Sequence, residues 1–528
     1  MLNLFFLARL SRSLRIYFLV SGSLILISSF ILYYFSPAFI YKSIESTRFV
    51  LSTLVESEAT VIAIVITLTL VVLQLTASSY STRVIDIFED SPSIWLIVGI
   101  YIIAIGYGLT VLNAIDAIHA SGILNFEISV WVAYFLGIFA FGALIPYLLG
   151  SLEIMKSSTV VDRFAERITN ENILAGVQES EKIVGADSND ISYSYIYSDI
   201  MRPVIDTESD PVQPVIDIIH SSMMKYDYGT MRYGLNVLEN YMMATLKNGK
   251  FEREEGIVVK HIFTHLERVG KLAASRDDED SVMEVVITIY LIGKTAMENK
   301  IESVVGEAVN SIKNIARLAI NREMVDIRAA ATDLIGEIGR WTAQNELDFA
   351  TSVAVNSLGI IAIDAAKHAQ RGLEETVWMG GTIYGIGKLA ITQKLEQSVS
   401  SAVNSMGNMG RYTARNDLPK TTIRIVNYLS NLGTAALESE FSKNTNDVAE
   451  YLWEIGRIAV WSELSVLAAH SILKHAKESL ENIRKRAKEL EVKETSLAAQ
   501  SSLEKINKII KEKSIHDGEK VRYKKKLD

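Results

Sequence analysis

Apolar residues follow two different rhythms along this chain. In the first 150 residues they gather into four runs, at about 15–35 (RIYFLVSGSLILISSFILYYF), 59–78 (ATVIAIVITLTLVVLQLTAS), 93–112 (SIWLIVGIYIIAIGYGLTVL) and 128–150 (ISVWVAYFLGIFAFGALIPYLLG). Each is about 20 residues long with no charge in its interior, enough to cross a ~30 Å hydrocarbon core. A backbone in lipid must satisfy its own hydrogen bonds, so the runs predict four transmembrane helices. The first run is too long for a signal-peptide core and is followed by Pro37 without a small-x-small cleavage site, which makes it a signal anchor.

The second rhythm begins near residue 266. An apolar pair followed by a small residue recurs as VGKLA, IGKTA, IARLA, IGRWT, IAIDA, IGKLA, MGRYT, LGTAA and IGRIA. The small residues are Gly270, Gly293, Ala316, Gly339, Ala362, Gly387, Gly410, Gly433 and Gly456, spaced 23 residues apart with a single step of 25. Polar connectors such as SRDDEDS, AQNELD and ARNDLP recur in phase. One unit is a helix plus a short turn, and two units make an antiparallel pair of the length found in HEAT/armadillo-like solenoids. Glycine in mid-helix costs about 1 kcal/mol relative to alanine, so its recurrence needs a packing reason, and close approach of a neighbouring helix supplies one.

The chain therefore reads as all-α: a transmembrane region at 1–152, a membrane-proximal helical linker at 153–250, an α-solenoid at 251–475, and a charged helix with a basic tail at 476–528. The linker holds a helix expected over Met155–Gln178 and a polar patch in which Ile191–Tyr197 alternates like one short strand.

Charge sets the orientation. Arg9, Arg12 and Arg15 precede the first run, Arg83 follows the second, and Lys156, Arg163 and Arg167 follow the fourth; the opposite side carries only Lys42 and Arg48. Both termini are expected in the cytoplasm of a multi-pass cell-membrane protein. The net charge of −9 argues against nucleic-acid binding. With no cysteine, disulfide and thiolate chemistry is excluded.

The stretch VVLQLTASSYSTRVIDIFEDSPSIWLIVGIYIIAIGYGLTVL carries a resemblance. Its Gln74, Ser78, Tyr80, Ser81, Arg83 and Asp90 match the pattern of the prokaryotic membrane-protein family called Domain of Unknown Function 2254, with Thr82 where that family usually has proline. The similarity covers roughly 58–165. It implies membership of a membrane-protein family and supplies no activity.

Candidate chemistry is sparse. Thr60, Thr67, Gln74 and Ser78 share one face of the second run, as pore-lining groups or as interhelical hydrogen-bond partners. Arg83, Asp86, Glu89 and Asp90 form a charged loop at the inner face, as an ion vestibule or as a helix cap with surface ion pairs. Asp116, His119 and Glu127 are a weak ion or proton site. Gly106-Tyr107-Gly108 lies within an apolar run and reads as helix rather than as a selectivity filter. His261 and His265 have the i,i+4 spacing of a zinc pair, but no third ligand is evident, so they read as surface histidines. No metal or cofactor is expected. No nucleophile elbow, phosphate loop or dinucleotide fingerprint is present, so an enzyme is not expected. The expectation is a homo-oligomeric ion channel or transporter with a cytoplasmic helical regulatory domain. The alternative is a membrane-anchored scaffold whose solenoid binds a protein partner.

Overall fold

At the second, third and fourth apolar runs the chain folds into three long helices, α1 (Ile44–Ser79), α2 (Pro92–Ala120) and α3 (Ile123–Ile154). The structure is a computed structural model describing Ser23, Ile27 and residues 44–79, 92–120, 123–154, 156–186, 210–247, 253–367, 372–462 and 466–527. Among these residues there are 18 helices and no strand. The run at 15–35 and the alternating segment Ile191–Tyr197 lie outside the described residues, the former except for Ser23 and Ile27.

Chain contacts divide the molecule into two units, residues 1–168 with 211–234, and residues 169–210 with 235–528. In the first, α1, α2 and α3 pack pairwise. Two buried clusters hold them: Leu51, Val111, Ile115, Val130 and Ala133 towards one end, and Val65, Ile97, Tyr101, Ala104, Ala140, Ala143 and Tyr147 towards the other. Elsewhere the helices are apolar on the outside, with Ile64, Leu70, Ile102, Ile103, Ile138 and Ile145 all exposed. Only 11–28% of their most apolar windows is buried, the pattern of helices solvated by lipid. The stretch expected as one helix at 155–178 is two, α4 (Ser157–Ala165) and α5 (Asn170–Ala186). The helices α6 (Gln213–Met224) and α7 (Tyr228–Lys247) follow.

The repeat opens with α8 (Arg253–Ser275) and continues through α9 (Glu279–Glu298), α10 (Glu302–Asn321), α11 (Val325–Gln344) and α12 (Asp348–Lys367). It goes on through α13 (Gly372–Thr392), α14 (Glu396–Arg415), α15 (Pro419–Glu438) and α16 (Ser442–Trp461). The helices α17 (Val466–Glu489) and α18 (Lys493–Leu527) extend the same stacking beyond residue 475. Each helix packs on its neighbour and on the helix two further along, so α8, α10, α12, α14, α16 and α18 form one layer and α9, α11, α13, α15 and α17 the other. The helix α12 is apolar enough to cross a membrane, but 61% of its window is buried by its neighbours, which marks it as a core helix of the solenoid.

The 23-residue spacing becomes a column of buried side chains between the layers: Leu266, Ile289, Ile312, Ile335, Leu358, Ile383, Met406, Leu429 and Leu452 are all fully inaccessible. The recurrent glycines are filled by neighbouring side chains rather than met by backbone. A Cβ on Gly270 would come 2.5 Å from Ile315, on Gly339 2.7 Å from Ile386, and on Gly433 2.8 Å from Val448.

The turns repeat as faithfully. Asp277, Lys300, Glu323, Glu346, Lys394, Asp417, Glu440 and Glu491 all have positive φ. After each comes a residue, apolar in every case but Asp278, whose N–H reaches back five positions, as in Ile301 to Ala296, Leu347 to Thr342 and Phe441 to Ala436. This is the Schellman cap, and its left-handed position usually belongs to glycine. Charged residues there cost about 1–2 kcal/mol in backbone sterics, partly offset because glycine loses more entropy on folding. Glu346→Gly is therefore expected to raise the stability of the repeat by about 0.5–1 kcal/mol, read as a higher urea midpoint.

Candidate functional site

The face of α1 that carries Thr60, Thr67, Gln74 and Ser78 is exposed along its length. The structure extends it backwards: Ser46 and Thr53, also exposed, continue the seven-residue spacing. A strict heptad is the period of helices that pack against a partner with a left-handed crossing. The hydroxyls have turned inward on their own helix, Thr53 donating to the Phe49 carbonyl at 2.9 Å, Thr60 to Glu56 at 2.8 Å, Thr67 to Ala63 at 2.8 Å and Ser78 to Leu75 at 2.9 Å. Gln74, with a longer amide side chain, is exposed on the same face.

The opposite face of α1 carries a group that composition alone conceals. Glu58 is 1% exposed, and its Oε2 has no hydrogen-bond partner. Gly137 of α3 makes room for it, since a Cβ there would lie 2.5 Å from Glu58 Oε1 and 2.9 Å from Leu54. Tyr101 of α2 lies within reach of its charge, fully buried, and its phenol oxygen is likewise without a partner.

Packing register places this group along the bundle. Arg48 and Asp116 form a two-pronged ion pair at 2.9 and 3.0 Å, with both side chains substantially exposed, and mark one end of the apolar bundle. Thr69 hydrogen-bonds to Tyr147 near the other end. At 1.5 Å per helical residue, Arg48 to Thr69 spans about 31 Å and Glu58 lies about 15 Å from Arg48. The apolar run 59–78 lies within α1, whose apolar stretch spans Ile44–Thr76, and Glu58 immediately precedes that run.

Of the other expected site residues, Arg83, Asp86, Glu89 and Asp90 lie outside the described residues, as does the side chain of His119. Asp116 is engaged by Arg48, and Glu127 is half-buried. Gly106, Tyr107 and Gly108 all lie inside α2, with Gly108 packed on Val55, as expected of helix rather than filter.

His261 and His265 are not surface histidines. His265 is completely buried and His261 half-buried. The third group that sequence spacing did not show is Asp210, which immediately precedes Pro211 and is itself 4% exposed. Its Oδ2 lies 3.1 Å from His261 Nε2 and 3.0 Å from His265 Nε2, and the two imidazole nitrogens are 3.2 Å apart. Burial raises the Asp210 carboxyl, but the hydrogen bonds to the two imidazoles outweigh it and hold the group well below the usual carboxylate range. Burial pushes His265 down, against the pull of Asp210. Among the described residues this is the group of three or more His, Asp or Glu with ligand atoms close enough to share an ion.

Residues 9–194 match the model of a family described as "Predicted membrane protein (DUF2254)". No curated protein matches the chain. Among solved structures, a "Circular tandem repeat protein with novel repeat topology and enhanced subunit contact surfaces" aligns over 90% of this chain and 99% of its own at 13% identity, with a TM-score of 0.26. A chain from "Computational Design of Self-Assembling Cyclic Protein Homooligomers" aligns over 69% and 98% at 14% identity, with a TM-score of 0.12. The helical repeat rests on this chain's own helices rather than on those superpositions.

Proposed function

We propose that this chain, whose residues 9–194 match the DUF2254 family of predicted membrane proteins, is a homo-oligomeric ion channel or transporter that moves protons or a small cation. In this reading both termini face the cytoplasm and the helical repeat is the regulatory domain. The observation that carries it is Glu58. A buried carboxylate with an unpartnered oxygen inside a bundle of apolar helices costs several kcal/mol when ionised, and such groups are kept where an ion or proton is handled. With Oε2 and the Tyr101 phenol both unsatisfied, Glu58 offers a bound proton or cation two oxygens in an otherwise apolar setting.

The polar heptad face of α1 supports the oligomeric part. Hydroxyl and amide groups facing lipid gain from a partner helix, and a second copy of α1 presents the same groups in the same register. Purified protein in liposomes, under a proton or alkali-cation gradient, is expected to carry flux well above that of empty vesicles. Gln74→Leu is expected to weaken assembly and flux together. Correctly inserted protein that passes neither protons nor cations, or that is monomeric while active, overturns the corresponding part of the proposal.

A further inference from the structure

We propose that Asp210, His261 and His265 bind one divalent transition-metal ion, Zn²⁺ foremost. The inference concerns the second unit alone and stands independently of any transport role. Its basis is convergence. The three donor atoms form a nearly equilateral triangle with edges of 3.0, 3.1 and 3.2 Å. Ligands about 2.0–2.1 Å from an ion lie about 3.0 Å apart in a facial octahedral site and about 3.4 Å apart in a tetrahedral one, so the observed edges fall in the range that metal coordination produces.

The elements that bring the groups together are rigid. His261 and His265 lie one turn apart on α8, with ring centroids 4.6 Å apart and planes at 84°, so both Nε2 atoms aim at one point. Asp210 is held by the following Pro211, which restricts its backbone to extended conformations. Without an ion, two ring nitrogens 3.2 Å apart are both crowded within hydrogen-bond distance of a single carboxylate oxygen, a conflict whenever both carry a proton. A cation removes that conflict, because each nitrogen then offers a lone pair.

Ligand chemistry selects the ion. Two imidazoles and one carboxylate suit Zn²⁺ and neighbouring first-row metals, whereas Ca²⁺ and Mg²⁺ prefer all-oxygen sites. Three protein ligands leave a coordination position open. Since His261 is the most accessible of the three, with 17% of its side chain exposed, the opening lies on its side. Such an ion pins the segment before Pro211 to the first helix of the repeat.

The test uses full-length protein in detergent, stripped with a chelator and titrated with Co²⁺, whose visible absorption reports coordination by protein ligands. Wild type is expected to take up one tight equivalent that Zn²⁺ displaces, and to melt at a higher temperature with Zn²⁺ than without. His261→Ala and Asp210→Asn, shown to be folded by circular dichroism, are expected to bind about 100-fold more weakly or not at all. They are also expected to lose the Zn²⁺-dependent rise in melting temperature. The exposed His470→Ala is the control and is expected to bind as wild type does. His265 is left intact because it is wholly buried. Absence of a tight equivalent in wild type, or equal binding by His261→Ala and Asp210→Asn, overturns the assignment.

Discussion

Glu58→Gln in proteoliposomes is expected to abolish flux, reducing it at least about 100-fold, while leaving the protein folded and assembled. The substitution keeps the volume that Gly137 accommodates and removes the charge and the exchangeable proton. Folding does not depend on that charge, since Oε2 makes no hydrogen bond whose loss would be felt. Binding of a proton or cation does depend on it, because the rest of the surrounding bundle is aliphatic or aromatic. Glu58→Asp, shorter by one methylene, is expected to retain partial flux. Proton and alkali-cation gradients imposed separately identify the carried ion. A Glu58→Gln protein that conducts at the wild-type rate removes Glu58 from the path, and with it the observation on which the transport reading rests.

Glu375→Ala is expected to be the most damaging substitution in the repeat for stability, costing about 3–5 kcal/mol. Arg328 is 4% exposed and forms an ion pair with Glu375, one helix further along the same layer of the solenoid. The two positions are 47 residues apart, one more than two repeat units. Removing the carboxylate leaves a buried guanidinium uncompensated, which is the expensive half of breaking such a pair. Replacing both partners with apolar residues, Arg328→Met with Glu375→Leu, is expected to recover most of the loss. Urea denaturation of the three proteins measures it. A Glu375→Ala midpoint unchanged from wild type sinks the account, because it implies that water reaches Arg328.

Three of the apolar runs were legible as membrane-crossing helices because lipid imposes a length and a composition that few other environments require. The repeat was legible because a solenoid reuses one contact, and the same small residue must return every time a neighbouring side chain lands there. The glycines at 270, 339 and 433 were identified from spacing alone, and their neighbours Ile315, Ile386 and Val448 explain them. Spacing placed the turns, in connectors such as SRDDEDS, AQNELD and ARNDLP, but not their left-handed caps, because those positions carry Asp, Glu and Lys instead of the glycine that announces such a cap.

The two candidate sites had opposite visibility. His261 and His265 are visible in the sequence as an i,i+4 pair, but Asp210 lies 51 residues before His261 on the far side of two intervening helices. Glu58 does not stand out in the sequence because it adjoins an uncharged run, and a charge next to a run looks like the end of a span. Composition along the chain determined that this protein has helices long and apolar enough to cross a membrane and carries a helical repeat, since both depend on patterns that each segment displays by itself. Only tertiary packing decided that Glu58 is buried against Gly137 of α3 and that Asp210 meets two histidines. Burial and convergence are relations between helices, fixed by the register of one against another.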